Sequence, residues 1–191
     1  MKPILSSRLC IRPFEPGDSP AFVDAALESI DTVGRWMSWC HRDLSLADAQ
    51  AWIQRCAADL EAGTCFDVGV FSLGDGQLLG GISINQINRD HGFGNIGYWI
   101  RASRQGSGIA PEAVRLIARF GLERLALSRL EIVAVEHNLA SRRVAEKAGA
   151  VFECIARNRL TLHASTHAAA VYSLTGDDLA RDAARDHACA P

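Results

Sequence analysis

Two glycines two residues apart are the first sign of chemistry in this sequence. Gly106 and Gly108 lie in the stretch RQGSGIAPEA (104–113), between an apolar run and a helix-periodic one. A helix N-terminus presents unpaired N–H groups and a positive dipole end, and glycine lets an anion approach the main chain. The pattern favours a phosphate-binding loop, although a strand-to-helix connection without a ligand also fits an isolated G-x-G.

Two other kinds of phosphate-binding loop fit this stretch poorly. A dinucleotide-binding turn needs a third glycine for close helix–strand packing, and Pro111 stands at that position. A Walker A loop needs Gly-Lys-Ser/Thr, but Lys2 and Lys147 are both far from the glycines. Neither nucleotide-binding fold is therefore indicated.

Hydrophobic periodicity predicts the elements that must position the loop. Ser45 and Asp48 form a capping-box pattern before a helix that Gly63 ends. An amphipathic helix follows the glycine loop, and a buried strand, a short helix and a long hairpin come after it. The order is β, helices, β-β-β, α, β, α, β-β, with strands predicted over 8–14, 64–73, 78–87, 95–100, 129–136, 150–162 and 167–175.

Composition limits the class of protein. A chain of 191 residues that is 48% hydrophobic has room for one sizeable core, so we expect one domain over 1–176 and a tail over 177–191. The net charge of −2, without a basic patch, argues against a nucleic-acid partner. No signal sequence or run long enough to span a membrane is found, so we expect a cytoplasmic protein.

The cysteines and histidines favour neither disulfides nor metal. The six cysteines are scattered without a C-x-x-C pair, which suits a reducing compartment. Cys154, on a predicted strand, is expected to be a small buried apolar residue. His163 and His167 are four apart but bracket a hairpin turn, so we expect no metal site.

Two blocks of the sequence together resemble the GCN5-related N-acetyltransferases (GNATs). Gln105, Gly108 and Ala110 match that family's Gln/Arg-x-x-Gly-x-Gly/Ala signature, and EHNLASRRVAEKAGAVFE (136–153) is similar to its next block. The segments RLCIRPFEPGD, ESIDTVGRWMSW and AAVYSLT resemble the RimJ/RimL branch, which acetylates protein N-termini. The resemblance spans about residues 8–176 and implies an α/β (α+β) GNAT fold: a mixed, mostly antiparallel twisted sheet of about seven strands, flanked by about four helices.

The resemblance implies transfer of an acetyl group from acetyl-CoA to a primary amine, by direct attack through a tetrahedral intermediate. Backbone N–H groups of the loop would hold the diphosphate, and the strand before it would pair with pantetheine and face the oxyanion. Asn138 would contact pantetheine, although it also suits a helix cap. The expected cofactor-binding residues are Tyr98, Trp99, Ile100, Gln105, Gly106, Ser107, Gly108, Ile109, Ala110, Asn138 and Ser141.

The catalytic groups follow from the same resemblance. Many GNATs protonate the leaving thiolate with a tyrosine, which residues 138–149 lack, so Ser141 is expected there, either bonding to the sulfur or orienting a water. An ordinary helix serine is the alternative. Glu136 and His137, at a strand end, are candidates for the base, as is a water chain.

The acceptor is the least constrained part of the interpretation. Trp36 and Trp39 would wall its pocket, or pack in the core. The acceptor would be a protein N-terminus, as in ribosomal-protein acetyltransferases, or a small-molecule amine. A non-catalytic acyl-CoA-binding regulatory module is the alternative from another class. The branch also suggests a homodimer.

Overall fold

The protein is described by a computed structural model over residues 1–181, and it has a single sheet with helices on both faces. Eight strands follow the order β1-β2-β3-β4-β5-β6-β8-β7, and every neighbouring pair is antiparallel except β5 and β6. The elements are β1 (Ile4–Leu5), β2 (Leu9–Pro13), α1 (Ser19–Glu28), α2 (Leu46–Ala62), β3 (Phe66–Ser72), β4 (Leu78–Asn88), β5 (Phe93–Ile100), α3 (Ile109–Arg124), β6 (Arg129–Val135), α4 (Leu139–Lys147), β7 (Val151–Leu162) and β8 (Ser165–Leu174).

The predicted fold class is confirmed, with one strand more than expected. The extra strand is β1, which has only two residues and pairs with Cys10 and Ile11 of β2. Of the predicted tail, residues 177–181 continue a helical turn that begins at residue 176, and residues 182–191 lie outside the described part. Within residues 1–181, no helix is both long enough and apolar enough to cross a bilayer.

Two hydrophobic cores form because side chains alternate between the faces of the strands. On one face, aliphatic residues such as Ile82, Ile84 and Ile96 pack against Ile117 of α3. On the other face, beneath α1 and α2, the core is aromatic and includes Phe14, Phe22, Phe71 and Trp99, with Trp39 and Trp52 packed against it.

The parallel pair opens a cleft in the middle of the sheet. β5 and β6 are paired only through residues 93–95 and 129–131, with Asn95 opposite Glu131 as the last pair. Beyond that point β5 continues to Ile100 beside β4 alone. One edge of the second half of β5 is therefore left without a neighbouring strand among the described residues.

The hairpin of β7 and β8 ends the sheet and corrects one expectation. Cys154 is exposed rather than buried, because β7 is an edge strand and its residues 151–155 are all exposed. At the hairpin tip, His163 and Ala164 both have left-handed backbone angles, with φ of 47° and 62°. Two such residues between paired strands form the tight turn typical of a two-residue hairpin.

Candidate functional site

The glycine loop joins β5 to α3 and presents a row of free amides. Gly106 and Gly108 have φ of 75° and 77°, the left-handed region that favours glycine. Gly108 is also the N-cap residue of α3, and its side chain, a hydrogen, supplies no cap. Among residues 1–181, the N–H groups of residues 106–110 form no hydrogen bond. These amides, at a helix N-terminus, can bind an anion.

The loop is held by residues on either side of it. The Arg101 guanidinium donates to Glu28 and, at 2.8 Å, to Asp24, both on α1. This guanidinium holds the pKa of Glu28 well below its usual range, at about 2. The Gln105 side chain donates to the Ile100 carbonyl at 2.8 Å, and its own N–H donates to Ala102. Gln105 thus shapes the loop, and the free amides begin at Gly106.

A cation that the sequence analysis missed lies beside the loop. Arg8 donates to the Ser107 carbonyl at 3.1 Å and to the Glu112 carboxylate at 2.5 Å. Half of the Arg8 side chain is exposed, and an added Cβ at Gly108 would lie 3.3 Å from its Nη2. Arg8 therefore adds positive charge within reach of any anion at the loop.

The backbone of β5 faces the cleft at alternate residues. The N–H of Arg101 donates to Leu79 across the β4–β5 pair. Because backbone groups alternate in direction along an antiparallel strand, Trp99 also faces β4, whereas Tyr98 and Ile100 face the cleft. Of the three expected pantetheine partners, Tyr98 therefore offers its backbone N–H and carbonyl to the cleft, and Ile100 offers its N–H, since its carbonyl is bonded to Gln105. Trp99 instead packs its indole among the aromatic residues beneath α1 and α2.

Tyr98 and Ser141 meet across the cleft. The Tyr98 hydroxyl donates to the Ser141 carbonyl at 2.8 Å and lies 3.0 Å from its Oγ. Burial raises the pKa of the Tyr98 phenol, so the hydroxyl keeps its proton. Asn138 caps α4, because its Oδ1 accepts the Ser141 N–H at 3.1 Å. The sequence predicted Ser141 and Asn138 as site residues, and Tyr98 for its backbone, but it did not predict that the Tyr98 hydroxyl would contact Ser141.

The two candidate bases lie at the end of β6. Glu136 is half-buried, and its N–H and carbonyl are bonded to Ala168 and Arg142. His137 is exposed. Neither residue lines the large pocket on the opposite face of the sheet.

That pocket has a volume of about 650 Å³ and lies beneath α1 and α2. Trp36 and Trp39 both line it. Trp39 stacks on Phe22 with ring centroids 5.5 Å apart and meets the edge of Trp99 at 5.3 Å, so it also belongs to the aromatic packing. Thr161 and Leu162, next to the β7–β8 tip, complete the wall. The second half of β5 therefore separates this pocket from the cleft.

The pocket floor contains a carboxylate that the sequence analysis also missed. Asp67 of β3 lies directly opposite Ser83 of β4, which lies opposite Gly97 of β5. Burial raises the pKa of the Asp67 carboxyl above its ordinary value. In the sequence, Asp67 is a lone polar residue in an apolar run, and only the strand register brings it to the pocket.

Comparisons with known proteins agree with this arrangement. The model of the acetyltransferase (GNAT) domain family matches residues 8–151. YdaF of Bacillus subtilis, named as a ribosomal N-acetyltransferase, is 29% identical over 177 residues, which cover 89% of this chain and 92% of YdaF. A structure named as a ribosomal-protein-serine acetyltransferase from Vibrio cholerae is 29% identical with a TM-score of 0.81, covering 91% of this chain and 97% of that one.

A more distant structure supports the fold. RimL, a ribosomal L7/L12 α-N-protein acetyltransferase in complex with coenzyme A, has a TM-score of 0.84 at 21% identity, covering 93% of this chain and 99% of RimL. The resemblance to the RimJ/RimL branch is confirmed by these relatives. The chain belongs to the GNAT family and is an acetyl-CoA-dependent N-acetyltransferase.

Proposed function

We propose that this enzyme acetylates the α-amino group of a protein N-terminus, with a ribosomal protein as the type of acceptor. The observation that carries the proposal is the shared strand: the second half of β5 borders the cleft on one side and floors the aromatic pocket on the other. Acetyl-CoA in the cleft and the acceptor amine in the pocket would meet at this strand. The ribosomal names of the relatives support the choice of acceptor.

Acetyl-CoA would enter the cleft with its diphosphate at the glycine loop. The free N–H groups of residues 106–110 suit the phosphate oxygens, and Arg8 adds charge. Pantetheine would lie along β5 and pair with the backbone of Tyr98 and Ile100. This arrangement brings the thioester to the part of β5 opposite Ser141.

The reaction is direct attack by the amine nitrogen on the thioester carbonyl carbon. The carbonyl oxygen becomes an oxyanion, which a backbone N–H of β5 stabilises; losing such a donor in other enzymes costs roughly 100- to 1,000-fold in rate. The C–S bond then breaks with its electron pair on sulfur. The Ser141 hydroxyl donates a hydrogen bond to this thiolate or orients the water that protonates it. Tyr98, protonated and bonded to Ser141, orients that hydroxyl.

The amine must lose a proton before or during attack. Glu136, His137 and water are the candidate acceptors of that proton. Glu136→Gln and His137→Gln separate them, because only loss of the true base moves the low-pH limb of the kcat/KM profile. If neither variant moves that limb, water takes the proton.

The experiment that tests the function uses acetyl-CoA with peptides whose N-termini match ribosomal proteins. Mass spectrometry should show one acetyl group on each free N-terminus and none on the same peptides with blocked N-termini. Polyamines and free amino acids form the small-molecule arm, and faster transfer to them would overturn the proposal. Binding of acetyl-CoA without thiol release on any acceptor would instead indicate a regulatory module. The cytoplasmic location and the homodimer stay predictions, to be checked by fractionation and light scattering.

A further inference from the structure

The floor of the acceptor pocket ends in a carboxylate without a counter-ion. Glycine at Gly81 and Gly97 keeps the floor low, since an added Cβ at Gly97 would lie 3.0 Å from the Ser83 hydroxyl oxygen. Asp67 lies at the far side of this floor, and within residues 1–181 it forms no ion pair with Lys or Arg. The polar floor contrasts with the tryptophans of the pocket walls.

A chain of hydrogen bonds runs across the floor as far as Ser83. Asn95 Nδ2 donates to Asn85 Oδ1 at 3.0 Å, and Asn85 Nδ2 donates to Ser83 Oγ at 2.8 Å. Ser83 lies directly opposite Asp67 on the neighbouring strand. On the other side, Cys65 Sγ donates to Asp67 Oδ2 at 3.1 Å. An ionised carboxylate can accept about four hydrogen bonds, so Asp67 keeps capacity for the N–H groups of a ligand.

The charged groups around Asp67 leave its carboxylate unpaired among the described residues. Asp59 on α2 adds a second negative charge near Asp67. Arg55, also on α2, lines the pocket but forms no ion pair with Asp67 among the described residues. A partly buried carboxylate is stabilised when an opposite charge reaches it, and here the pocket is open to a ligand that brings one. The other titratable groups that line the pocket are His41, Asp48 and Tyr98.

Asp67 is too far from the cleft to touch the nitrogen that is acetylated. Neighbouring strands lie about 4.8 Å apart, so β3 is about 10 Å from β5, and the cleft lies on the far side of β5. A group bound at Asp67 is therefore a different part of the acceptor.

We propose that Asp67 binds a second cationic group of the acceptor, so that the enzyme prefers amines whose neighbouring residue or chain carries a positive charge. This inference rests on the proposed function, in which the acceptor occupies the aromatic pocket. The carboxylate accepts hydrogen bonds from an ammonium or guanidinium group, and the bound cation fixes the acceptor's register along the floor. Asp67 is thus a specificity-determining residue.

The test compares two acceptors that differ in one charge. Ser-Lys and Ser-norleucine dipeptide amides share a reacting amine and nearly the same length of side chain, but only the first carries a second cation. We expect kcat/KM of the wild type to favour Ser-Lys by about tenfold or more, which corresponds to one charged contact. Asp67→Asn should reduce the preference to about twofold or less while retaining activity on Ser-norleucine.

Two further variants separate specific contact from general effects. Asp59→Asn removes the same charge from an exposed, solvent-screened position outside the pocket lining and should keep most of the preference. Asp67→Glu keeps the charge and should retain part of it. A preference that persists in Asp67→Asn, or equal losses on both acceptors, would overturn the inference.

Calorimetric binding of the same two amides to wild type and Asp67→Asn gives a readout that does not need turnover. Charge-selective binding without acetyl transfer would refute the proposed function and leave Asp67 as a cation site. Acetyl transfer without charge selectivity would do the reverse. Equal binding of both amides to the wild type would remove the site.

Discussion

Replacing Gly106 with alanine tests the glycine loop most directly. Gly106 has a φ of 75°, and an added Cβ would meet no atom within 4 Å. The substitution therefore creates no clash and costs only the backbone strain of an L-residue in the left-handed region, about 1–2 kcal/mol. The methyl group, however, stands where a phosphate would approach, or the loop relaxes and turns its amides away.

The expected effect on acetyl-CoA binding follows from one lost hydrogen bond to a charged group. Such a bond contributes about 1.5–3 kcal/mol, so the dissociation constant should rise roughly tenfold to a hundredfold. Isothermal titration calorimetry with acetyl-CoA measures this change. Urea denaturation measures the strain separately.

Gly63→Ala is the matched control. Gly63 ends α2 with a φ of 68°, and an added Cβ would meet only the far end of Arg89, at 3.9 Å. Both variants should lose similar stability, but only Gly106→Ala should lose affinity. If the two variants bind acetyl-CoA equally well, the free amides of the loop do not hold the diphosphate.

Three more predictions concern the cleft, the sheet and α1. Tyr98→Phe removes the hydrogen bonds to Ser141 and should lower kcat roughly tenfold, while the affinity for acetyl-CoA stays within about threefold. Steady-state kinetics and calorimetry measure the two quantities, and an unchanged kcat would argue against the orienting role of Tyr98. Gly80→Ala would press a Cβ against the main chain of β5, so it should lower the free energy of unfolding in urea by about 3 kcal/mol. An unchanged free energy of unfolding would mean that β4 and β5 can move apart. Arg101 lowers the pKa of Glu28 from 4.5 to about 2, so the unfolded chain binds more protons than the folded one between these pH values. The contribution of this ion pair to the free energy of unfolding is therefore present above pH 4.5 and lost as the pH falls towards 2. Glu28→Gln should flatten this part of the stability–pH profile, and an identical acid limb in the variant would contradict the assignment.

Local signals in the sequence were enough to predict the main elements. Ser45 caps α2 reciprocally with Asp48, and Gly63 ends it in a left-handed conformation, as their spacing indicated. The two-residue β1 could not be predicted, because Ile4 and Leu5 are too few to show any periodicity. The exposure of Cys154 was equally hidden, since an edge strand and a buried strand have the same local pattern.

The part of the site built from consecutive residues could be predicted from the sequence. The parts that depend on how distant strands and helices are placed beside each other could not. The glycine loop is read from adjacent residues, and its role in binding acetyl-CoA stays a prediction. Tyr98 and Ser141 are 43 residues apart and meet only because β5 and α4 lie on the two sides of the cleft. Asp67 reaches the pocket floor through its pairing with Ser83, which no local pattern specifies.

Because β5 and β6 are paired over only three residues, a small change at this junction can shift the far end of β5. Gly92 accepts hydrogen bonds from the backbone N–H and the hydroxyl of Ser128, at 2.7 and 3.0 Å, immediately before the three paired residues. From Asn95 to Ile100 the strand extends about 17 Å while paired with β4 alone, so a rotation of the β4–β5 pair by about 5° at this junction would displace its far end by about 1.5 Å. An added Cβ at Gly92 would lie 3.1 Å from the Ser128 hydroxyl oxygen. Crowding at Gly92 would therefore change the width of the cleft between β5 and β6 from a position remote from the glycine loop and the aromatic pocket.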